Sequence, residues 1–163
     1  MDIDSKTLRQ TVGQFVTGVT VVAADYGGEV HAMTANAFTS LSLDPPLVLF
    51  CVGKKAKAGQ LIHQASGFCI NILQQNQQDL STYFAGGWKG PTPPPFTFST
   101  WHGTPLLEGS AAALACQLHT IHEGGDHWIV VGRVIAVHRS EEQPQPLVFF
   151  GGRYASLEAP VVG

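Results

Sequence analysis

Long hydrophobic runs are missing from this sequence. Its unbroken apolar runs reach six residues, as in Leu47 to Val52. A membrane-spanning helix needs about 20 apolar residues, and a secretory leader about 7–15 behind a basic start. Neither is therefore expected, and no membrane partner is predicted. Charge is sparse as well: Asp, Glu, Lys and Arg make up 13% of 163 residues, and the net charge is −3 with seven histidines neutral. No basic run exceeds Lys54-Lys55, which leaves a nucleic-acid surface without support. Cysteine is limited to Cys51, Cys69 and Cys116, an odd number with no Cys-x-x-Cys. Each lies in an apolar stretch, the ordinary setting of a buried reduced thiol, which fits a reducing cytoplasm. A Gly-x-Ser-x-Gly elbow and a Gly-x-Gly-x-x-Gly fingerprint are also absent, so a serine hydrolase and a Rossmann dehydrogenase lack support.

What the chain has in quantity is apolar residues, 44% of the total. That share is high for a soluble monomer and predicts that part of the surface is buried against another chain. The length suits one domain over residues 1–163, and no repeat or linker divides it. Asp4 or Ser5 can cap a first helix in which Leu8, Val12 and Phe15 recur at helical spacing. After Gly18 the texture becomes β: Val19 to Ala24, a turn at 26–28, then Glu29 to Thr34. Leu47 to Val52 reads as a fully buried strand. A short helix over 56–65, a strand over 68–73 and a second helix over 75–84 follow. The segment from Gly86 to Pro95 holds four prolines and must be an irregular loop, with Trp88, Phe96 and Phe98 to pack it down. Two long strands, 111–122 and 127–138, flank Glu123-Gly124-Gly125-Asp126, a hairpin signal. A last strand covers 147–150. Many strands with few short helices predict a mainly β fold, an antiparallel barrel.

The segment from Ala32 to Pro46 sits between two buried strands yet carries small hydroxyl and amide residues. Small side chains let a planar ligand approach the backbone, whose polar groups can read its edge. The same composition also suits a polar strand edge bonded to neighbouring backbone, followed by an Asp-Pro-Pro turn. Gly53-Lys54-Lys55-Ala56-Lys57-Ala58-Gly59 joins a strand to a helix, so it is either a phosphate-binding turn or a solvated basic one. His119, His122 and His127 do not make a metal site: residues three apart on a strand point to opposite faces, and no Cys or Glu completes a ligand set. Asp126-His127 at the hairpin mouth projects from the barrel end into solvent or a cleft.

Taken in order, these stretches resemble the short-chain flavin reductase family, the reductase components of two-component flavin-dependent monooxygenases. The resemblance rests on Thr17 to Val22, Met33 to Pro46, Phe68 to Leu73, Leu80 to Ala85, Gly103 to Gly109, Gly125 to Ile129 and Pro146 to Tyr154. It implies an FMN-binding split β-barrel, a homodimer, FMN or FAD as the flavin, and NADH or NADPH as hydride donor. It further implies transfer of reduced flavin to a monooxygenase component. By the same resemblance Met33, Thr34, Ala35, Asn36, Ser40, Leu41 and Ser42 line the flavin ring and ribityl chain. Cys51, Gly53, Lys54, Lys57 and Ala58 face its phosphate, Phe84 and Tyr154 border the pocket, and His127 lies by the nicotinamide. The family usually carries hydroxyls in the phosphate turn, where this chain has Ala56 and Ala58. Either lysines and backbone N–H groups replace them, or flavin is held weakly and exchanges as a substrate. Two other functions suit the same barrel: a non-catalytic flavin- or haem-binding module, and a flavoenzyme that acts directly on an organic substrate with the Trp88–Phe98 loop as a wall.

Overall fold

The computed structural model describes residues 2–158. Its strands are β1 (Thr17–Gly18), β2 (Thr20–Asp25), β3 (Val30–Ala35), β4 (Phe38–Leu43), β5 (Pro46–Gly53), β6 (Gly67–Ile72), β7 (Phe98–Trp101), β8 (Thr104–Leu107), β9 (Ala112–Gly124), β10 (His127–Arg139), β11 (Val148–Phe150) and β12 (Arg153–Ala155). The helices are α1 (Ser5–Val12), α2 (Lys57–Leu61) and α3 (Gln78–Phe84). The expected helices over 56–65 and 75–84 are thus α-helical only in part, each joined to one 3-10 turn, at Ile62–Gln64 and Gln75–Gln77. The expected β content is borne out: β4 realises the strand-edge reading of its segment, and β1, β7, β8 and β12 are added to the strands read from the sequence.

Seven antiparallel strands form the main sheet in the order β3-β2-β6-β9-β10-β5-β4. Its outer strands β3 and β4 do not pair with each other, so the barrel is split rather than closed. A smaller sheet, β1-β11-β12, ties Thr17 to Phe149 and brings the last strands against the first.

Alternation along the strands supplies two cores. Val22, Phe50, Val52, Phe68, Ile70 and Val130 meet inside the main sheet, where the Phe50 and Phe68 rings pack edge-on at 5.0 Å. On the other side Val19, Val21, Leu73, Leu80, Leu107 and Leu147 join α3 and β8 to the sheet. The Leu47–Val52 run was expected to be buried on both faces, but only Val48, Phe50 and Val52 are; Leu47, Leu49 and Cys51 form a half-buried second face. Among the buried polar side chains, the amide of Asn71 makes the most bonds. Asn71 donates to the carbonyls of Val21 (3.1 Å) and Pro105 (3.4 Å) and accepts from the Leu107 N–H (2.9 Å), stitching β2, β6 and β8 together.

Helix α1 starts where Asp4 accepts from the N–H groups of Lys6 and Thr7, each at 3.0 Å. None of its residues is buried. Its apolar face is instead left open, with Val12 61% and the following Phe15 77% exposed. That face borders the site.

Candidate active site

The half-buried face of β5 is the floor of a cleft of about 720 Å³. Leu8, Val12 and Gly13 of the α1 segment form one wall; Phe38, Thr39, Leu49 and Cys51 form the floor; Phe149 closes the far side. Where the chain leaves β3, Asn36 and Phe149 also line a smaller hollow of about 150 Å³ with Val19, Thr34, Ser81 and Tyr154. The two spaces adjoin, so the cleft has a broad apolar mouth and a narrow polar inner end.

Polar groups at the inner end are held by a short chain of hydrogen bonds. The Thr34 hydroxyl donates to the Ser81 carbonyl at 2.6 Å, and the Ser81 and Tyr154 hydroxyls lie 2.7 Å apart. The sequence brings these together from β3, α3 and β12, and only tertiary packing makes them neighbours. The Thr17 hydroxyl is buried in the cleft wall and has no hydrogen-bond partner among the described residues. Its oxygen is sealed from the open cleft, so it costs stability without offering a contact to a ligand there.

Gly53, Lys54, Lys57 and His127, expected to line the site, line neither space; they belong to a charged group at the mouth of the β9–β10 hairpin, beyond Cys51. His127 Nδ1 contacts the Asp126 carboxylate at 2.7 Å. A carboxylate only accepts, so Nδ1 carries the proton and Nε2 is the free nitrogen, standing 3.9 Å from where a Cβ on Gly53 would lie. The hydrogen bond from His127, then its charge and that of Arg9, hold the Asp126 carboxyl below the ordinary carboxylate range. Lys54 donates to Glu123 at 2.8 Å and lies over the Trp128 ring, 4.5 Å from its centroid. Its hydrogen bond likewise holds the Glu123 carboxyl below its usual value. Lys57 reaches Glu29 at 3.7 Å.

The residues expected to line the site divide by position. Thr34, Asn36 and Tyr154 meet at the inner end, and Cys51 lies in the floor of the mouth. Met33 and Ala58 face another space, of about 10 Å³, beside Tyr26 and His31, and Ala35 is buried in the core. Ser40, Leu41 and Ser42 continue along the edge strand β4 past Thr39, the last of that strand to line the cleft. Phe84 stacks with Tyr83, Phe96 and Phe98 next to Ala85 and so borders the inner end from outside. The proline-rich loop is packed down, with Trp88 Nε1 donating to the Thr92 carbonyl at 2.8 Å. Reading the sequence missed Arg9, Thr17, Ser81 and Phe149. For Arg9 the signal was there, since it shares a helical face with Leu8, Val12 and Gly13.

An apolar cleft of this size with one polar end suits a flat, mostly apolar ring system with a hydrogen-bonding edge. Residues 12–158 match the flavin reductase like domain. The chain belongs to the flavin reductase family. Members of this family with clear similarity include the reductase component of 4-hydroxyphenylacetate 3-monooxygenase from Thermus thermophilus. It is 40% identical over 159 residues, covering 95% of this chain and 98% of that protein. A flavin reductase solved in its native state superimposes with a TM-score of 0.90 at 39% identity, covering 96% of this chain and all of the other. The NADH:FAD oxidoreductase of Streptomyces globisporus, solved with NAD and FAD fragments, gives a TM-score of 0.85 at 36% identity, covering 100% and 99% of the two chains. This flavin reductase is therefore an oxidoreductase with the split-barrel architecture. No helix among its described residues is long and apolar enough to cross a membrane.

Proposed function

We propose that this flavin reductase works as a single unit over residues 1–163, takes hydride from NADH, and passes it to FAD or FMN in the cleft beneath α1. It then releases reduced flavin to a partner monooxygenase in the cytoplasm. The observation that carries this reading is the adjacency of the broad apolar cleft and the hydroxyl-bearing hollow, which share Asn36 and Phe149. The residues present fit a flavin. Phe38, Leu49 and Phe149 offer apolar walls for its rings, while Asn36 and Thr34 offer polar atoms to its edge. Flavin supplies the hydride acceptor; the protein's own work is to place the two rings and exclude water.

His127 suits a positioning role toward the nicotinamide nucleotide. Asp126 fixes its tautomer, and the free Nε2 faces the Gly53 turn. His127→Ala is expected to raise the KM for NADH about tenfold while flavin affinity stays unchanged. An unchanged KM and an unchanged rate of hydride transfer would remove that role.

The exposed apolar face of α1, with Leu8, Val12 and Phe15 beside the open cleft, supports a homodimer in which a second copy covers it. Light scattering on the purified protein reads this directly, and a monomer at micromolar concentration would refute it.

Cys51 gives a reporter for the cleft. Burial pushes its thiol upward, but only partly, whereas the fully buried Cys69 and Cys116 are pushed up to about 12. One thiol is expected to react with a small alkylating reagent in the native protein at pH 9, and three after unfolding. Saturating FMN should slow the native reaction. Equal rates with and without flavin would place the ring elsewhere.

The central experiment is a steady-state matrix of NADH and NADPH against riboflavin, FMN and FAD, with free reduced flavin monitored. Oxidation of NADH with release of reduced flavin is expected. A tightly yellow protein without turnover would point instead to a binding module, and turnover without release to a flavoenzyme that keeps its flavin.

A further inference from the structure

We propose that Arg9 of α1 holds a phosphate of the nucleotide bound in the cleft. The proposal rests on the flavin-reducing function above and names a group that neither the sequence motifs nor that function assigns.

Arg9 is the one charged side chain lining the cleft among the described residues. It makes no ion pair and no side-chain hydrogen bond with any of them. The Gly53–Ala58 turn is joined to the β9–β10 hairpin, where the Lys54 N–H donates to the Asp126 carbonyl at 2.9 Å. The charge of Arg9 adds a small downward pull on the Asp126 carboxyl, after the hydrogen bond and charge of His127.

Of the lysines in the turn, Lys54 is held by Glu123 and Trp128 and Lys57 by Glu29, while Lys55 is exposed and makes no ion pair among the described residues. The turn offers little of its own: α2 is five residues long, and Ala56 before it supplies no side-chain oxygen or capping bond. An anion leaving water needs a cation and directed donors. A guanidinium provides both, since its fork matches two phosphate oxygens and it cannot be deprotonated. On this reading Arg9 supplies the directed anion contact that Ala56 and Ala58 cannot.

The phosphate can belong to the flavin or to the nicotinamide nucleotide, and the two sources are separable. Arg9→Gln and Arg9→Lys are compared with the unaltered protein in three measurements: the Kd of FMN, the Kd of riboflavin and the KM for NADH. Arg9 is exposed and supports no core contact, so both variants should melt with the unaltered protein. If the phosphate is flavin's, Arg9→Gln raises the FMN Kd about tenfold, leaves riboflavin unchanged, and Arg9→Lys recovers part of the loss. If it is the nicotinamide nucleotide's, the KM for NADH rises by a similar factor and both flavin constants stay fixed. Equal weakening of FMN and riboflavin, or no change in any of the three, overturns the proposal. An unaltered protein that neither binds flavin nor oxidises NADH would instead overturn the function itself.

Discussion

Replacing Asn71 with alanine is expected to lower the unfolding free energy by about 3 kcal/mol, enough to drop Tm by roughly 6–12 °C. The side chain is completely buried and serves three backbone groups on two neighbouring strands. Alanine removes all of these bonds at once. The Leu107 N–H is then left in an apolar setting with no water to replace its acceptor, and a cavity opens beside it. The effect should also reach the site. Asn71 lies opposite Val21 in the register, and Val21 lies opposite Thr34, so loosening β2 loosens the strand that carries the inner polar end. Thermal melts with and without FMN check both parts. A variant that melts within about 2 °C of the unaltered protein would show that the buried amide is replaceable.

Gly59→Ala is the second large effect, and it acts on catalysis through the backbone. A Cβ at position 59 would stand 2.1 Å from the Gly53 carbonyl oxygen and 3.3 Å from the Lys54 Cα. These are backbone atoms at the start of the turn, so no side-chain adjustment can make room. Either α2 backs away from the end of β5 or the turn opens. Each outcome moves Lys54 off Trp128 and shifts the floor beneath His127. Displacements of about 1 Å in positioning elements cost on the order of 10²-fold in rate, and kcat/KM for NADH should fall by about that factor. Gly18→Ala is the matched control, since a Cβ there meets nothing within 4 Å. Comparable activity in Gly59→Ala and Gly18→Ala would mean that the turn does not position the nucleotide.

Much of this fold is visible in the sequence wherever a local rule decides. The Gly-Gly turn between β9 and β10 needs positive φ, which Gly125 adopts at 70°. The alternation along β2 divides Val21 from Val22 into different cores. Other features lie outside local rules. Strand β4 is built from Phe, Thr, Ser and Leu, and its composition suits a ligand-facing segment as well as a polar strand edge; its pairing to β5 at the sheet's open edge decides for the strand. The segment 33–36 reads as one ligand-facing run, yet the pleat sends Met33 and Thr34 to opposite faces, so consecutive residues cannot share a wall. Helical spacing in α1 correctly marks an apolar face. It does not say that the face overlooks a cleft instead of a core, and with that Arg9 goes unnoticed. The contact between Ser81 and Tyr154 spans 73 positions and has no sequence signal at all.

The small sheet that joins Thr17 to Phe149 has a consequence for the newborn chain. Every strand of the main sheet precedes Leu147, so a chain ending just before that residue still holds every residue of the first core. Such a chain lacks Phe149 and Tyr154, and with them the far wall and one hydroxyl of the inner end. Flavin therefore cannot serve as a template during synthesis. It stabilises the protein only by mass action on finished molecules, and a cell starved of flavin should still make and fold this chain at the ordinary pace.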